Sequence, residues 1–261
     1  MSRTLKVCLV GVSLIAGVVA GPCPAQMLQQ GISVVLVPTA NAAPMPEADG
    51  PNAWIAAATS NGALYFGLNK VTAESLLDEM NSRPHNRQQK LYIKADARAP
   101  FANVQEILDA ARVAGVEAVL LTAQQEPMRT RTLAPPAGLP VGLDPSEASG
   151  PKAVMVLVLA SKQGRPTLKV NYKDTSWEAL QSSLTTLLQR QREKVVLVKA
   201  DGSLPVAPVV NVIDVCRSTG AKVVLVTPGA EGAAQDTEVT ITKGSAWGIV
   251  RLKPAAHFAD E

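Results

Sequence analysis

The sequence predicts an α+β protein of two tandem small two-layer sandwiches. Each is ββαβαβ, with two helices on one face of a mixed sheet, and an N-terminal hydrophobic segment precedes both. Three observations predict this. Residues 91–122 (LYIKADARAPFANVQEILDAARVAGVEAVLLT) and 196–227 (VLVKADGSLPVAPVVNVIDVCRSTGAKVVLVT) match without a gap at an offset of 105 residues. Within each copy, short apolar runs alternate with stretches of helical period. A stretch rich in Pro and Gly separates the copies. So long a period duplicates a whole domain rather than a solenoid unit.

The elements follow in order. Residues 54–59 and 63–68 are extended segments around Ser60-Asn61-Gly62, a hairpin-type turn, and residues 153–159 and 167–170 flank Gln163-Gly164-Arg165 in the same way. Thr72 and Ser176 each put a hydroxyl ahead of a periodic segment. In the second copy Trp177, Leu180, Leu184 and Leu187/Leu188 supply its apolar face. A buried-type strand comes next and ends in Lys94-Ala95-Asp96 or Lys199-Ala200-Asp201. Pro100 and Pro205 suit the first turn of a helix, where a missing N–H costs nothing. Val104, Ile107, Leu108 and Ala111 then recur at i, i+3, i+4, i+7, as do Val209, Val212, Ile213 and Cys216. Gly115 and Gly220 sit where a left-handed cap would end each helix. The strands at 118–121 and 223–226 complete βαβ crossovers.

The domain plan is therefore a signal peptide or membrane anchor at 1–25 and an extended link with a first strand at 26–50. Domain one spans 51–125, a semi-stiff linker 126–150, domain two 151–245 with a further strand expected at 238–242, and a tail 246–261. MSRTLK is a basic start, residues 7–21 carry no charge, and Pro22-Cys-Pro-Ala25 offers a cleavage site. Cleaved or retained, this segment places both domains outside the inner membrane.

Net charge is +3, two units of it from Arg3 and Lys6, and aromatic content is 3%. Lys and Arg are scattered rather than striped, so nucleic acid is not an expected partner. The three cysteines form no disulfide framework, and Cys216 reads as a small core residue. With only His85 and His257, neither a metal cluster nor a Ser-His-Asp set can be built. No Walker loop or GxGxxG is present, so no cofactor and no enzymatic activity are expected.

The residues marked by the duplication are Asp96/Asp201, Pro100/Pro205, Asp109/Asp214, Arg112/Arg217 and Gly115/Gly220. Asp96 and Asp201 end strands, where α/β folds place ligands. No His, Cys or second acid recurs beside them, so a carboxylate that accepts loop N–H groups and fixes the turn is the expected role. Asp109/Arg112 and Asp214/Arg217 stand at i, i+3 and can pair across a helix surface, worth about 0.2–0.5 kcal/mol. Residues 32–37 are apolar and β-branched. Through Ile32, Val34 and Leu36 they either add to a sheet edge, in this chain or a partner, or form the first strand of domain one.

The order of these features resembles the ExbD/TolR family of biopolymer-transport proteins. The resemblance rests on the hydrophobic segment, Gln30-Gly-Ile-Ser-Val-Val-Leu-Val-Pro38, an Ala/Pro-rich link and the Lys-Ala-Asp…Pro…Asp…Gly domain. It implies a small subunit of a proton-driven inner-membrane motor, with periplasmic domains and an ExbB/TolQ-like membrane subunit. It also implies TonB-like or peptidoglycan-associated partners and self-association. The family's membrane aspartate has no counterpart: Lys6 and Val7 fall where it is expected, and no acid precedes Glu47. The resemblance therefore carries over the fold, and assigns proton transfer to no residue of this chain.

Overall fold

The computed structural model of the chain describes residues 31–84, 88–124, 136–148, 153–162 and 164–230. The N-terminal hydrophobic segment, the strand expected at 238–242, the tail and both histidines lie outside these residues.

Two short strands come first, β1 (Pro38–Thr39) and β2 (Ala43–Pro44), followed by a 3-10 helix, Pro46–Asp49. β3 (Trp54–Ala58) and β4 (Leu64–Phe66) form the hairpin, and β5 (Asn69–Val71) extends it. α1 (Ala73–Ser82), β6 (Lys90–Ala95), α2 (Phe101–Ala114) and β7 (Glu117–Gln124) complete the first repeat. The second repeat has β8 (Ala137–Val141), a 3-10 helix Pro145–Ala148, β9 (Val154–Leu159), β10 (Thr167–Val170) and β11 (Lys173–Thr175). α3 (Leu180–Leu188), β12 (Val195–Ala200), α4 (Val206–Ser218) and β13 (Lys222–Leu225) follow.

Local chemistry sets the helix ends. Thr72 and Ser75 form a reciprocal capping box at the start of α1. Ser176 accepts the N–H of Ala179 at 3.2 Å, but it caps a turn that precedes α3, whose first helical residue is Leu180. Gly115 closes α2 at φ 68°, and Gly220 follows the Thr219 cap of α4 at φ 73°.

Among the described residues the first sheet has eight strands in the order β2-β8-β7-β6-β3-β4-β5, with β1 joining β7, and the second has five, β11-β10-β9-β12-β13. β6 lies parallel between β3 and β7, and β12 lies parallel between β9 and β13, the arrangement that crossover helices impose. Both repeats thus build a mixed α+β sandwich on one plan.

The stretch read as linker differs from the expectation. It contains β8, which pairs antiparallel with β7 (Leu120 opposite Leu139) and thereby completes the sheet of the first repeat. Gly138-Leu-Pro-Val-Gly-Leu-Asp-Pro145 is a second version of Gly31-Ile-Ser-Val-Val-Leu-Val-Pro38. Its Gly and Pro hide the strand signal. Proline is tolerated there because the outer neighbour β2 pairs only with Ala137 and Gly138, leaving Pro140 on the edge. The first version behaves otherwise. Residues 32–37 carry no strand assignment, and pairing begins only at Pro38–Thr39, parallel to the end of β7.

One apolar core runs through both repeats, with Ile93, Ile107 and Leu108 in the same cluster as Val198, Val209 and Ile213. A smaller cluster lies on the other face of the first sheet, where Ala48 of the 3-10 helix covers Ile55, Tyr92, Val119 and Leu121.

Candidate functional site

The turns after Lys-Ala-Asp bring the two repeats face to face. An α-helix leaves its first N–H groups without internal acceptors. α2 and α4 both start at a proline, and neither has a side-chain cap. Each helix instead receives its acceptors from the other repeat. Phe101 N–H donates to the Leu204 carbonyl at 2.7 Å and Ala102 N–H to that of Gly202 at 2.9 Å. Val206 N–H donates to the Ala99 carbonyl at 3.0 Å and Ala207 N–H to that of Ala97 at 3.0 Å. Shifting each pair by the repeat offset of 105 reproduces the other pair. Such reciprocity marks a two-fold, isologous contact, here closed within one chain. Pro100 and Pro205 face each other in an antiparallel bridge at its centre. Ala99, Phe101, Leu204 and Val206 are buried around it, and the side chain of Gln105 reaches across to the carbonyl of Ala200 at 3.2 Å.

The helix aspartates also bond across the repeats, to residues that the offset does not relate. Asp109 of α2 accepts the Thr227 hydroxyl and, at 3.1 Å, the Gly229 N–H, both beyond β13. Asp214 of α4 accepts the N–H groups of Ala40 at 3.1 Å and Asn41 at 2.8 Å, both in the front of the first repeat. Arg112 Nε stands 3.6 Å from Asp109. Asp214 turns to the other repeat rather than to Arg217, so the expected i, i+3 pairing describes only part of what these positions do. Gly142, after β8, returns to its own repeat, where its N–H and carbonyl bond Val223 and Leu225 at 2.8 and 2.9 Å, so this segment joins the two sheets.

Asp96 and Asp201 organise their own turns. Asp96 accepts the N–H groups of Arg98 at 3.0 Å and Val35 at 3.1 Å, together with the Arg98 guanidinium at 3.0 and 3.3 Å. The Arg98 side chain, helped by these backbone donors, holds the Asp96 carboxyl down at about 2 against the opposing effect of burial. Asp201 accepts Ser203 N–H and Oγ at 2.9 and 2.8 Å, and these bonds lower its pKa as well. Through Val35, Asp96 also pins the segment carrying Ile32, Val34 and Leu36, all half-buried.

Sequence reasoning missed the polar group under the first 3-10 helix. Glu47 Oε2 accepts Lys90 Nζ at 3.0 Å and the Tyr92 hydroxyl at 3.1 Å. Lys90 and Tyr92 lower the pKa of Glu47, while burial and then Glu47 push the Tyr92 phenol up to about 12. The available signal was Glu47-Ala-Asp-Gly-Pro51 against Glu147-Ala-Ser-Gly-Pro151, a repeat that the gap-free match does not reach.

Among the described residues no three His, Cys, Asp or Glu side chains converge to hold a metal ion, and no helix is long and apolar enough to cross a membrane. No curated protein and no solved structure gives a significant match to the chain. The family model described as biopolymer transport protein ExbD/TolR matches it twice, over residues 24–126 and 128–229. The second match starts ahead of β8, so the segment that crosses to the first sheet is the front of the second family unit. These matches cover most of the chain, which belongs to the ExbD/TolR family of biopolymer transport proteins as a tandem of two family units.

Proposed function

We propose that the chain is a single-pass inner-membrane component of a biopolymer-transport or energy-transduction system, with both repeats in the periplasm as one paired unit. Its expected neighbours are an ExbB/TolQ-like membrane subunit and TonB-like or peptidoglycan-associated proteins. The observation that carries this reading is the reciprocal capping of α2 and α4 by the opposite repeat, which makes two family units one body. No acid precedes Glu47, so in this reading proton transfer belongs to a partner. That same feature favours a second reading, a periplasmic binding or scaffold protein released by cleavage after Ala25.

Expression in a Gram-negative host separates the two. A full-length species that resists carbonate extraction and co-purifies with an ExbB/TolQ-like subunit supports the anchored component. A soluble species beginning at Gln26 overturns it in favour of the scaffold.

A further inference from the structure

The front segment of the family unit occurs a third time. Gly31-Ile-Ser-Val-Val-Leu-Val-Pro38 and Gly138-Leu-Pro-Val-Gly-Leu-Asp-Pro145 are followed by Gly248-Ile-Val-Arg-Leu-Lys-Pro254. The closing prolines stand 107 and 109 residues apart, one family unit each time. Residues 248–254 lie outside the described residues, and the places taken by the first two copies define the place left for the third.

The first copy covers the outer face of its own sheet. A Cβ on Gly31 would lie 3.0 Å from the Ile55 side chain, and Ser33 and Val34 line one hollow with Tyr65. Val35 is then clamped at two points. Its N–H donates to Asp96 Oδ2 at 3.1 Å, and its carbonyl accepts the Ala97 N–H at 2.8 Å. Ile55, Ala57 and Asp96 are all buried there. The second copy has left its own sheet to become β8 on the first. The matching seat on the second sheet is recognised from the ladders. Met155 lies opposite Leu197 and Leu157 opposite Lys199, as Ile55 lies opposite Tyr92 and Ala57 opposite Lys94. In that seat Met155, Leu157 and Leu197 are only half-buried, and Asp201 is exposed. Asp201 bonds Ser203 of its own turn, and the Gly202 N–H has no acceptor among the described residues.

We propose that residues 248–254 dock on the outer face of the second sheet, along β9 and β10, as residues 31–38 do on the first. Ile249, Val250 and Leu252 take the half-buried positions of Ile32, Val34 and Leu36, and Arg251 takes that of Val35, which is exposed. The residue that the third copy lacks falls at exposed Ser33. Arg251 donates its N–H to Asp201 and accepts the Gly202 N–H. The edge of β13 is not the seat, because Gly142 already bonds Val223 and Leu225 there. The match ends at Leu252: Ala123, whose N–H holds Val37, is replaced by Pro228, which has none. The 17 residues 231–247 can span up to about 56 Å, against about 20 Å for the width of five strands. The proposal holds for an anchored and for a cleaved chain alike.

The test compares the full-length, 15N-labelled chain in a neutral detergent with its Ile249→Asp and Arg251→Pro variants. The expected result is exchange of the Gly202 amide with solvent about tenfold or more faster in either variant. The amides of Met155 and Leu157 shift, and those of the first repeat do not. A blocked peptide of residues 245–256, titrated into the Ile249→Asp chain, restores the wild-type Gly202 and Met155 signals saturably, and the same peptide carrying Ile249→Asp does not. Equal Gly202 exchange in all three chains, shifts at the edge of β13 instead of β9, or failure of the peptide to bind would each overturn the proposal. Wild-type signals that change on dilution would overturn it too, by giving the seat to a second copy of the chain.

Discussion

Asn41 donates its backbone N–H to Oδ1 of Asp214 at 2.8 Å, across 173 residues of chain. Asp109 also reaches across the repeats, to Thr227 and Gly229. A carboxylate that satisfies two backbone donors between repeats contributes more than an exposed helix pair. Asp214→Ala should therefore lower unfolding free energy by about 1–3 kcal/mol, whereas Arg217→Ala should stay within about 0.5 kcal/mol. Denaturant melts of the two variants check this, and equal effects would contradict the contact.

Leu139 is fully buried although it lies in a Pro- and Gly-rich stretch that reads as linker. Its side chain packs into the core through β8. Leu139→Ala should cost about 2–5 kcal/mol by leaving a cavity. A solvent-facing linker residue would show almost no change in the same urea titration.

Gly202 sits where the repeats touch. A Cβ built there would lie 2.8 Å from the Gln105 side chain and 3.1 Å from Ala102 Cβ. Ala97, its counterpart, carries a Cβ at the equivalent place, so the contact is not perfectly symmetric. Gly202→Val should destabilise by about 1–3 kcal/mol through overpacking. Melting temperatures of Gly202→Val and Ala97→Val, compared side by side, would show the asymmetry.

Asp96 has a folded pKa of about 2, below the ordinary 3.8. A group whose pKa is depressed by folding contributes stability above its unfolded pKa and loses it as pH falls through the folded value. The advantage of the wild type over Asp96→Asn should be full above about pH 4 and gone near pH 2. Urea midpoints at a series of pH values test this, and a gap that does not vary with pH would rule it out.

Cys216 is fully buried on α4, and burial pushes its thiol up to about 12. In the folded chain it should react with a thiol reagent far more slowly than in denaturant. Rapid labelling of Cys216 without unfolding would mean that α4 opens readily. Alkylation followed by peptide mass mapping separates it from Cys8 and Cys23.

The sequence by itself determined the repeat, the βαβ units and the ends of α2 and α4. These depend on local spacing and on residues such as Gly115 that set their own backbone angles. It also showed which positions the duplication marks, and the Asp96 and Asp201 turns were legible because the turn donors Arg98 and Ser203 lie two residues on, whereas the Asp96 bond to Val35 was not. Only the tertiary structure decided where Asp109 and Asp214 point, since their acceptor geometry joins segments more than 100 residues apart. It also decided that β8 crosses to the other repeat's sheet. A strand pairs through backbone groups that every residue carries, so side chains alone do not say whose edge it joins. The unusual uncapped, proline-started helices have the same explanation. Their missing caps are carbonyls of the opposite repeat, and no local pattern in one copy could announce them.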